Sequence, residues 1–359
     1  MLQEIKNSKE KLPVAVIFGG EGAEHEISCL SALNVVCALE ELGRKYISVY
    51  IDRRGCWFII PSGRDAVLHI DENAGMPTYP LKLSESCSGF LTENGVIPID
   101  TAIPVLHGDM GEDGVVQGAL RCAGIKYVGS DTLAGAVAMD KAYTKLLAEY
   151  LGIPTVPWFL YIVGVGNDEC SKVALNEDGV LKLASEIGYP LFVKPVASGS
   201  SIGAGVANDS GELLSAVRYS ASVCGRVLIE KKIECPTELE CGYFDGGKIV
   251  ITPPGSIVSS DGFYSFGAKY CGKGETKVSA IADVSDEVKE KLTEYSRSIC
   301  LLAGIKDIAR VDFFLSQGKI YFNEINTFPG MTEDSLYPKM LKEAGIPLSM
   351  ALDKLLSEI

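Results

Sequence analysis

The chain has 359 residues, more than one ordinary domain holds, and suits two or three domains that share interfaces. Hydrophobic residues make up 47% and charged residues 22%, a globular balance, and no apolar run approaches the roughly 20 residues that span a bilayer. The formal charge of −14 argues against a nucleic-acid partner, whose phosphate backbone calls for a net basic footprint; a small anion needs only a local basic pocket.

The opening segment MLQEIKNSKEKLP is polar and leads straight into a strand. It lacks the apolar core of a secretory signal, so a cytosolic chain is expected. The eleven cysteines form no Cys-x-x-Cys pair, and three histidines cannot assemble a structural zinc spacing. The thiols are therefore expected to be reduced and mostly buried.

Residues 14–18 are apolar and read as the first strand. The segment FGGEGAEHEIS at its end lacks the Gly-x-Gly-x-x-Gly spacing of a dinucleotide site, so its glycines suit a tight strand-to-helix turn, with Glu24 near the helix start. A helix follows to near Gly43, then strands at 45–51 and 101–106, and this alternation predicts a parallel sheet with helices on its faces. Residues 61–100 are rich in Pro, Gly and Ser without a sustained period and read as loops and short pieces. Glu112 and Asp113 are placed to cap a helix that begins near Gly114.

From Lys141 a helical pattern runs to Leu151 and stops at Gly152, Pro154 and Pro157. A smaller central domain is expected from near Ser130, with a strand at 191–193. In LFVKPVASGSSIG that strand ends at Lys194, and Ser198, Gly199, Ser200 and Ser201 follow. Small residues let backbone N–H groups close around phosphate oxygens while the lysine supplies charge. No Gly-Lys-Ser/Thr follows, so it is not a Walker loop, and a plain turn fits the spacing too. A third unit is expected to open with a strand at 227–230. It includes a helix with apolar residues at Val288, Leu292, Tyr295, Ile299 and Leu302, capped by Ser285 and Gly304.

The apolar runs 311–315 and 320–325, joined by Ser316, Gln317, Gly318 and Lys319, read as a hairpin. Side chains alternate along a strand, so Glu324 and Asn326 share a face that Asp312 of the partner strand can meet. Such a set of hard oxygens suits Mg²⁺, which takes one or two carboxylates plus substrate phosphates and waters. A solvated polar face on an edge hairpin has the same spacing.

Two segments decide between these readings. HGDMGEDGVVQG (107–118) and ARVDFFLSQGKIYFNEINTFPG (309–330) resemble, in residue type and spacing, the two signatures of the D-alanine:D-alanine ligase family, a branch of the ATP-grasp enzymes. GGEGAEHEIS near the start, MDK at 139–141, the KP…GSSIG segment, LIEKKI at 228–233, AKY at 268–270 and PGMTEDSL at 329–336 agree as well, so the resemblance spans about residues 14–355. It implies a three-domain α/β ATP-grasp architecture. An N-terminal parallel-sheet, Rossmann-like domain would cover residues 1–130, a central ATP-grasp subdomain 131–229, and a C-terminal subdomain with the metal site 230–359.

The resemblance also implies roles. Asp312, Glu324 and Asn326 would hold two Mg²⁺ ions, with Mn²⁺ as a substitute, on the phosphates of ATP. Lys141, Lys194, Lys269 and the loop Ser198, Gly199 and Ser201 would hold phosphates; Glu230, Lys231 and Ile233 would form the hinge at the adenine, and Glu238 would bind the ribose. Glu24 would engage the ammonium of the first D-alanine, linked through Ser200 and Tyr270 to the second amine, with His107 lining the first-substrate pocket. Arg310 and the backbone N–H of Gly330 would bind substrate and stabilise an oxyanion, and Ser335 and Leu336 would hold the second carboxylate. A homodimer working on small molecules, with neither membrane nor nucleic acid as partner, is the implied state.

Ser265 and Gly267 stand where the family usually has acidic residues, and CGKGETKVSAIAD lacks a common Pro-Ala. This segment would be the loop that closes over the substrates. D-lactate-forming relatives lack the pair present here as Lys269 and Tyr270, and D-serine-forming relatives commonly carry arginine where this chain has Leu336. D-Alanine is thus the expected second substrate, with D-serine as the alternative. A nucleotide-binding pseudoenzyme and an oxidoreductase are the other classes weighed; the first conflicts with the complete charged set, the second with the missing dinucleotide fingerprint.

Overall fold

The structure is a computed structural model and describes residues 12–68, 70, 79–80, 82–83, 88–164, 172–259 and 276–359. Six buried residues in a row make Val14–Gly19 the centre of the first sheet. It pairs in parallel with Tyr46–Ile51 on one side and Thr101–Val105 on the other, and Lys126–Tyr127 extends the parallel set. A strand buried along its whole length needs cover on both faces. The first helix, His25–Glu41, supplies one with Ala32, Val35, Val36 and Leu39; Val116 and Leu120 of Val115–Cys122 supply the other.

The sheet is mixed instead of wholly parallel, because Trp57–Ile60 and Tyr79–Pro80 run antiparallel at its edge. The cause is the turn after Ile51. There the Asp52 carboxylate accepts the N–H groups of Arg54 and Cys56, and Gly55 takes φ +75°, a reversal too short for a parallel crossover. Within 61–100 the described pieces are short: Arg64–Leu68, and a small antiparallel sheet of Lys82–Leu83, Gly89–Thr92 and Gly95–Pro98.

The middle sheet runs Val173–Ala174, Trp158–Ile162, Arg226–Lys231, Leu191–Pro195, Gly205–Ala207. Helices Glu177–Ile187 and Ser210–Val223, capped by Asn176 and Asp209, cover it through Val180, Ala184, Leu213 and Val217. Arg226–Lys231 is bonded on both sides within this sheet, so it belongs to the middle unit instead of opening the third, and a division at 229/230 would cut it. The helices Thr132–Met139 and Lys141–Tyr150, read with the central unit in sequence, lay the small Ala134, Ala138 and Ala148 against the core of the third sheet.

That third sheet is antiparallel in the order Thr276–Ser279, Gly255–Ser259, Thr237–Asp245, Ile308–Ser316, Lys319–Asn326. Helix Asp286–Ala303 covers it, capped by the Ser285 hydroxyl at its start and Gly304 (φ +74°) at its end. Leu292 and Ile299 are buried, but Leu302, expected on the same face, is 42% exposed. Cys300 and Ala303 take its place, since a 3.6-residue turn drifts away from a strict four-three spacing. Finally Leu336–Glu343 and Leu348–Glu358 return to the first helix, their leucines sharing its core. No helix among the described residues is long and apolar enough to cross a membrane. Leu292→Ala should cost about 2–5 kcal/mol in urea unfolding, whereas Leu302→Ala should stay within about 0.5 kcal/mol of the parent.

Candidate active site

The sheets meet at a cleft of about 480 Å³, a size suited to a cofactor or small ligand. Of the described residues given roles by the resemblance, all but Asp312 line it. Lys269 and Tyr270 lie outside the described residues, as does most of the expected closing loop.

One corner is built on the start of the first helix. The Ser28 hydroxyl accepts the Gly19 N–H (2.8 Å) and donates to the Val105 carbonyl (2.5 Å), which ties the ends of two parallel strands to the helix. Glu24 is its N-cap residue but makes no side-chain cap bond; its carboxylate instead accepts the Ser200 hydroxyl. A Cβ on Gly108 or Gly199 would come within 2.6 or 2.8 Å of Glu24 Oε2, so both must be glycine for the carboxylate to sit there. Ser200 and Ser201 have φ +51° and +59°, a left-handed bend that ordinary residues avoid. The bend turns the loop toward Glu24.

A second corner is cationic. Lys141 Nζ donates to the Ser198 carbonyl (2.9 Å) and stands 3.4 Å from Glu324 Oε2, so one ammonium joins the loop to the hairpin. Lys194 Nζ meets Glu230 Oε1 at 2.8 Å and donates to Asn323 Oδ1 at 3.1 Å. Lys145, one helical turn beyond Lys141 and almost fully buried, meets Glu230 Oε2 at 2.9 Å. Burial alone would raise the Glu230 carboxyl, but the two lysines outweigh it and hold it down at about 2. The Glu230 side chain is therefore a counter-ion to the two lysines. Lys231 Nζ is likewise turned away, onto the carbonyls of Gly188 and Tyr189.

The third corner is the hairpin Ile308–Ser316/Lys319–Asn326. Gln317 and Gly318 both have positive φ, 50° and 74°, the two-residue turn whose twist matches its strands. Asp312 pairs with Glu324 and Arg310 with Asn326, with a bulge just after Asp312. Arg310 grips Asp312 through two bonds of 2.7 Å and stands 3.2 Å from Glu240 on the next strand. Asn326 donates its amide N–H to Asp312 at 3.0 Å, which leaves its carbonyl oxygen for an ion. No cluster of three His, Cys, Asp or Glu converges among the described residues. Two carboxylates and an amide oxygen are nonetheless a set that Mg²⁺ accepts together with waters and phosphates, so the residues fit that ion.

His107 is buried with both ring nitrogens engaged. Nδ1 lies 3.0 Å from the Phe328 carbonyl and Nε2 2.9 Å from the Ser31 hydroxyl. A carbonyl only accepts, so Nδ1 carries the proton and Ser31 donates to Nε2. Burial keeps this imidazole below its ordinary pKa, hence neutral. Toward a substrate it offers a wall, not a hydrogen bond.

Two residues of the site, Lys145 and Glu240, were missed in sequence, and a third, Glu112, was read as a helix cap. Asp113 alone takes the capping role, accepting the N–H groups of Met110 and Val115. Glu112 faces the cleft, where burial and the Glu24 charge push its carboxyl up to about 8. Lys145 could have been found four residues after Lys141 on one helix face, and Glu240 two residues after Glu238 on one strand face.

The arrangement, a basic loop and an acidic hairpin clasping a cleft beside a parallel-sheet unit, is that of ATP-grasp enzymes, and the chain is an ATP-dependent ligase. Residues 13–130 match the family model described as "D-ala D-ala ligase N-terminus" and 147–357 that of "D-ala D-ala ligase C-terminus". The D-alanine–D-alanine ligase of Thermoanaerobacter sp. (strain X514) is 34% identical, with 97% of this chain and 96% of that one covered; that of Ruminiclostridium cellulolyticum is 36% identical over 96% and 94%. Among solved structures, the VanG D-Ala:D-Ser ligase of Enterococcus faecalis superposes with a TM-score of 0.85 at 31% identity, covering 97% of this chain and 99% of that one. The D-alanine-D-alanine ligase of Coxiella burnetii gives 0.81 at 29% identity, covering 97% and 93%. The chain belongs to the D-alanine–D-alanine ligase family.

Glu230→Gln leaves two buried ammonium groups without their anion and should lower stability at pH 7 by about 3–5 kcal/mol in urea. Because the folded carboxyl lies below its ordinary 4.5, its contribution is full above that value and fades toward pH 2. The gap between parent and variant should therefore narrow as pH falls below 4.5.

Proposed function

We propose that the chain joins two D-alanine molecules into D-alanyl-D-alanine, converting ATP to ADP and phosphate, in peptidoglycan precursor synthesis in the cytoplasm. The observation that carries this reading is the opposition of Asp312 and Glu324 across one hairpin, whose Arg310 and Glu324 line the cleft, with Lys141 and Glu24 on its other walls. The domain boundaries follow the sheets: the N-terminal unit ends near Ser130, and the middle unit closes after Lys231.

A carboxylate is a poor electrophile, so the first D-alanine takes up the γ-phosphoryl group of ATP to become an acyl phosphate. Asp312, Glu324 and the Asn326 carbonyl oxygen hold Mg²⁺, two ions in the full assembly with Mn²⁺ as a substitute, which supplies charge neutralisation at the phosphates. Lys141, Lys194 and the backbone from Ser198 to Ser201 hold phosphate oxygens, the 230–233 backbone meets the adenine and Glu238 the ribose. Lys269 and Tyr270, to which the resemblance gives a phosphate role and an amine-side role, lie outside the described residues. Glu24 fixes the first ammonium.

The amine of the second D-alanine attacks the acyl carbon, loses a proton and expels phosphate. Arg310 and the Gly330 N–H are the donors for the oxyanion formed on the way. The second carboxylate lies at the start of Leu336–Glu343. That reading is supported by Ser335, whose hydroxyl bonds Thr332 (2.7 Å) instead of capping the helix, so the first N–H groups and the dipole favour an anion. Leu336 is 6% exposed and gives the hydroxyl of D-serine no partner, although such a pocket rejects an added hydroxyl by only about 10²-fold. A homodimer is the proposed assembly.

Asp312→Asn and Glu324→Gln should each abolish ligation with the fold intact; turnover near wild type at saturating Mg²⁺ would remove the metal assignment. With equal D-alanine and D-serine at neutral pH, product masses should show mostly D-alanyl-D-alanine. A predominantly serine-containing product would overturn the choice of second substrate.

A further inference from the structure

Gly330 lies in a segment held at three backbone atoms by the N-terminal unit. At one end His107 donates to the Phe328 carbonyl (3.0 Å). At the other, the Met331 N–H donates to the Ser31 hydroxyl (3.1 Å) and the Met331 carbonyl accepts the Asn34 amide N–H (2.8 Å). Ser31 and Asn34 are three apart on the first helix, hence on one face, and both polar groups of Met331 are gripped by it.

The two residues between these anchors differ in freedom. The ring of Pro329 fixes its φ near −65°, whereas Gly330 is permissive at both dihedrals. Its N–H direction is therefore set by what holds the ends. Ser31 also receives its orientation from His107, because its single proton goes to Nε2 and its oxygen is left to accept from Met331.

We propose that Ser31 and Asn34 are positioning residues for ligation: by clamping Met331 they aim the Gly330 N–H at the oxyanion, and the helix that presents Glu24 thereby also sets the donor. The inference rests on the ligase reading above. Neither residue lines the cleft, so their effect passes through the 328–331 backbone. A donor displaced by about 1 Å loses on the order of 10²-fold in rate, close to the loss of the donor itself. The tetrahedral oxyanion forms only when the amine attacks, so loosening this donor should slow that step more than phosphoryl transfer and let the acyl phosphate hydrolyse.

The test compares Ser31→Ala, Asn34→Ala and Asn34→Asp with wild type. Asn34→Asp is nearly isosteric, replaces a donor with an acceptor facing the Met331 carbonyl, and lies at a partly exposed position, which guards against loss of fold at the fully buried Ser31. Measured are kcat, the KM for ATP, the ratio of ADP to dipeptide, hydrogen exchange of a peptide covering 328–332, and the melting temperature. Expected are a fall in kcat of about 10-fold or more, a KM for ATP within about twofold, a raised ADP-to-dipeptide ratio and faster exchange at Met331. Variants with wild-type kcat and ratio would overturn the clamp. So would a loss of ADP formation and dipeptide in equal proportion, with a matching drop in melting temperature. A wild type that forms no D-alanyl-D-alanine would instead overturn the ligase reading itself, and the clamp with it.

Discussion

Glu230 is a carboxylate shut between two ammonium groups, and the basic end of the cleft depends on that arrangement. It projects from the middle strand of the middle sheet; Lys194 comes from the neighbouring strand and Lys145 from a helix packed on the third sheet. Taking one such charge out of water costs several kcal/mol, and the cost is offset only when partners sit at hydrogen-bonding distance. The three side chains must therefore meet closely, and that requirement fixes the helix Lys141–Tyr150 against the middle sheet. Lys141, one turn earlier on the same helix, reaches Glu324 on the hairpin. A single helix thus sets the relation between the sheet that bears the basic loop and the hairpin that bears the acidic pair.

The cleft is basic on one wall and acidic on another although the chain carries a net charge of −14. Only the local sum matters within about 10 Å, the screening distance in ordinary salt. Lys141, Lys145, Lys194 and Arg310 pair directly with Glu230, Glu240, Asp312 and Glu324 in or beside this space. The site is held ready by its own ion pairs.

Much of this was legible in the chain. The strand at 14–18, the helix after it, the hairpin turn at Gln317 and Gly318, and the caps Ser285 and Gly304 all follow from local rules, because each is decided by residues adjacent in sequence. The antiparallel edge of the first sheet was not legible, since it depends on two hydrogen bonds to Asp52. Nor was the membership of Arg226–Lys231, because an apolar strand carries no mark of the sheet that will accept it. At the site, alternation along the hairpin put Asp312, Glu324 and Arg310 on one face. Glu112 was misjudged because its neighbour Asp113 satisfies the same capping rule and takes the position. Ser31 and Asn34 went unnoticed since their partners lie 300 and 297 residues away.

The two last helices, Leu336–Glu343 and Leu348–Glu358, share a core with the first helix and the first sheet. During synthesis the N-terminal unit leaves the ribosome long before residues 336–358 exist, with one face of its first helix still bare to water. That unit cannot reach its final packing until the chain is almost finished. Completion of the cleft wall at Ser335 and Leu336 and completion of the N-terminal core are then the same event, so a chain stopped short of residue 336 would lack both, and would carry an open apolar face for quality-control machinery to recognise.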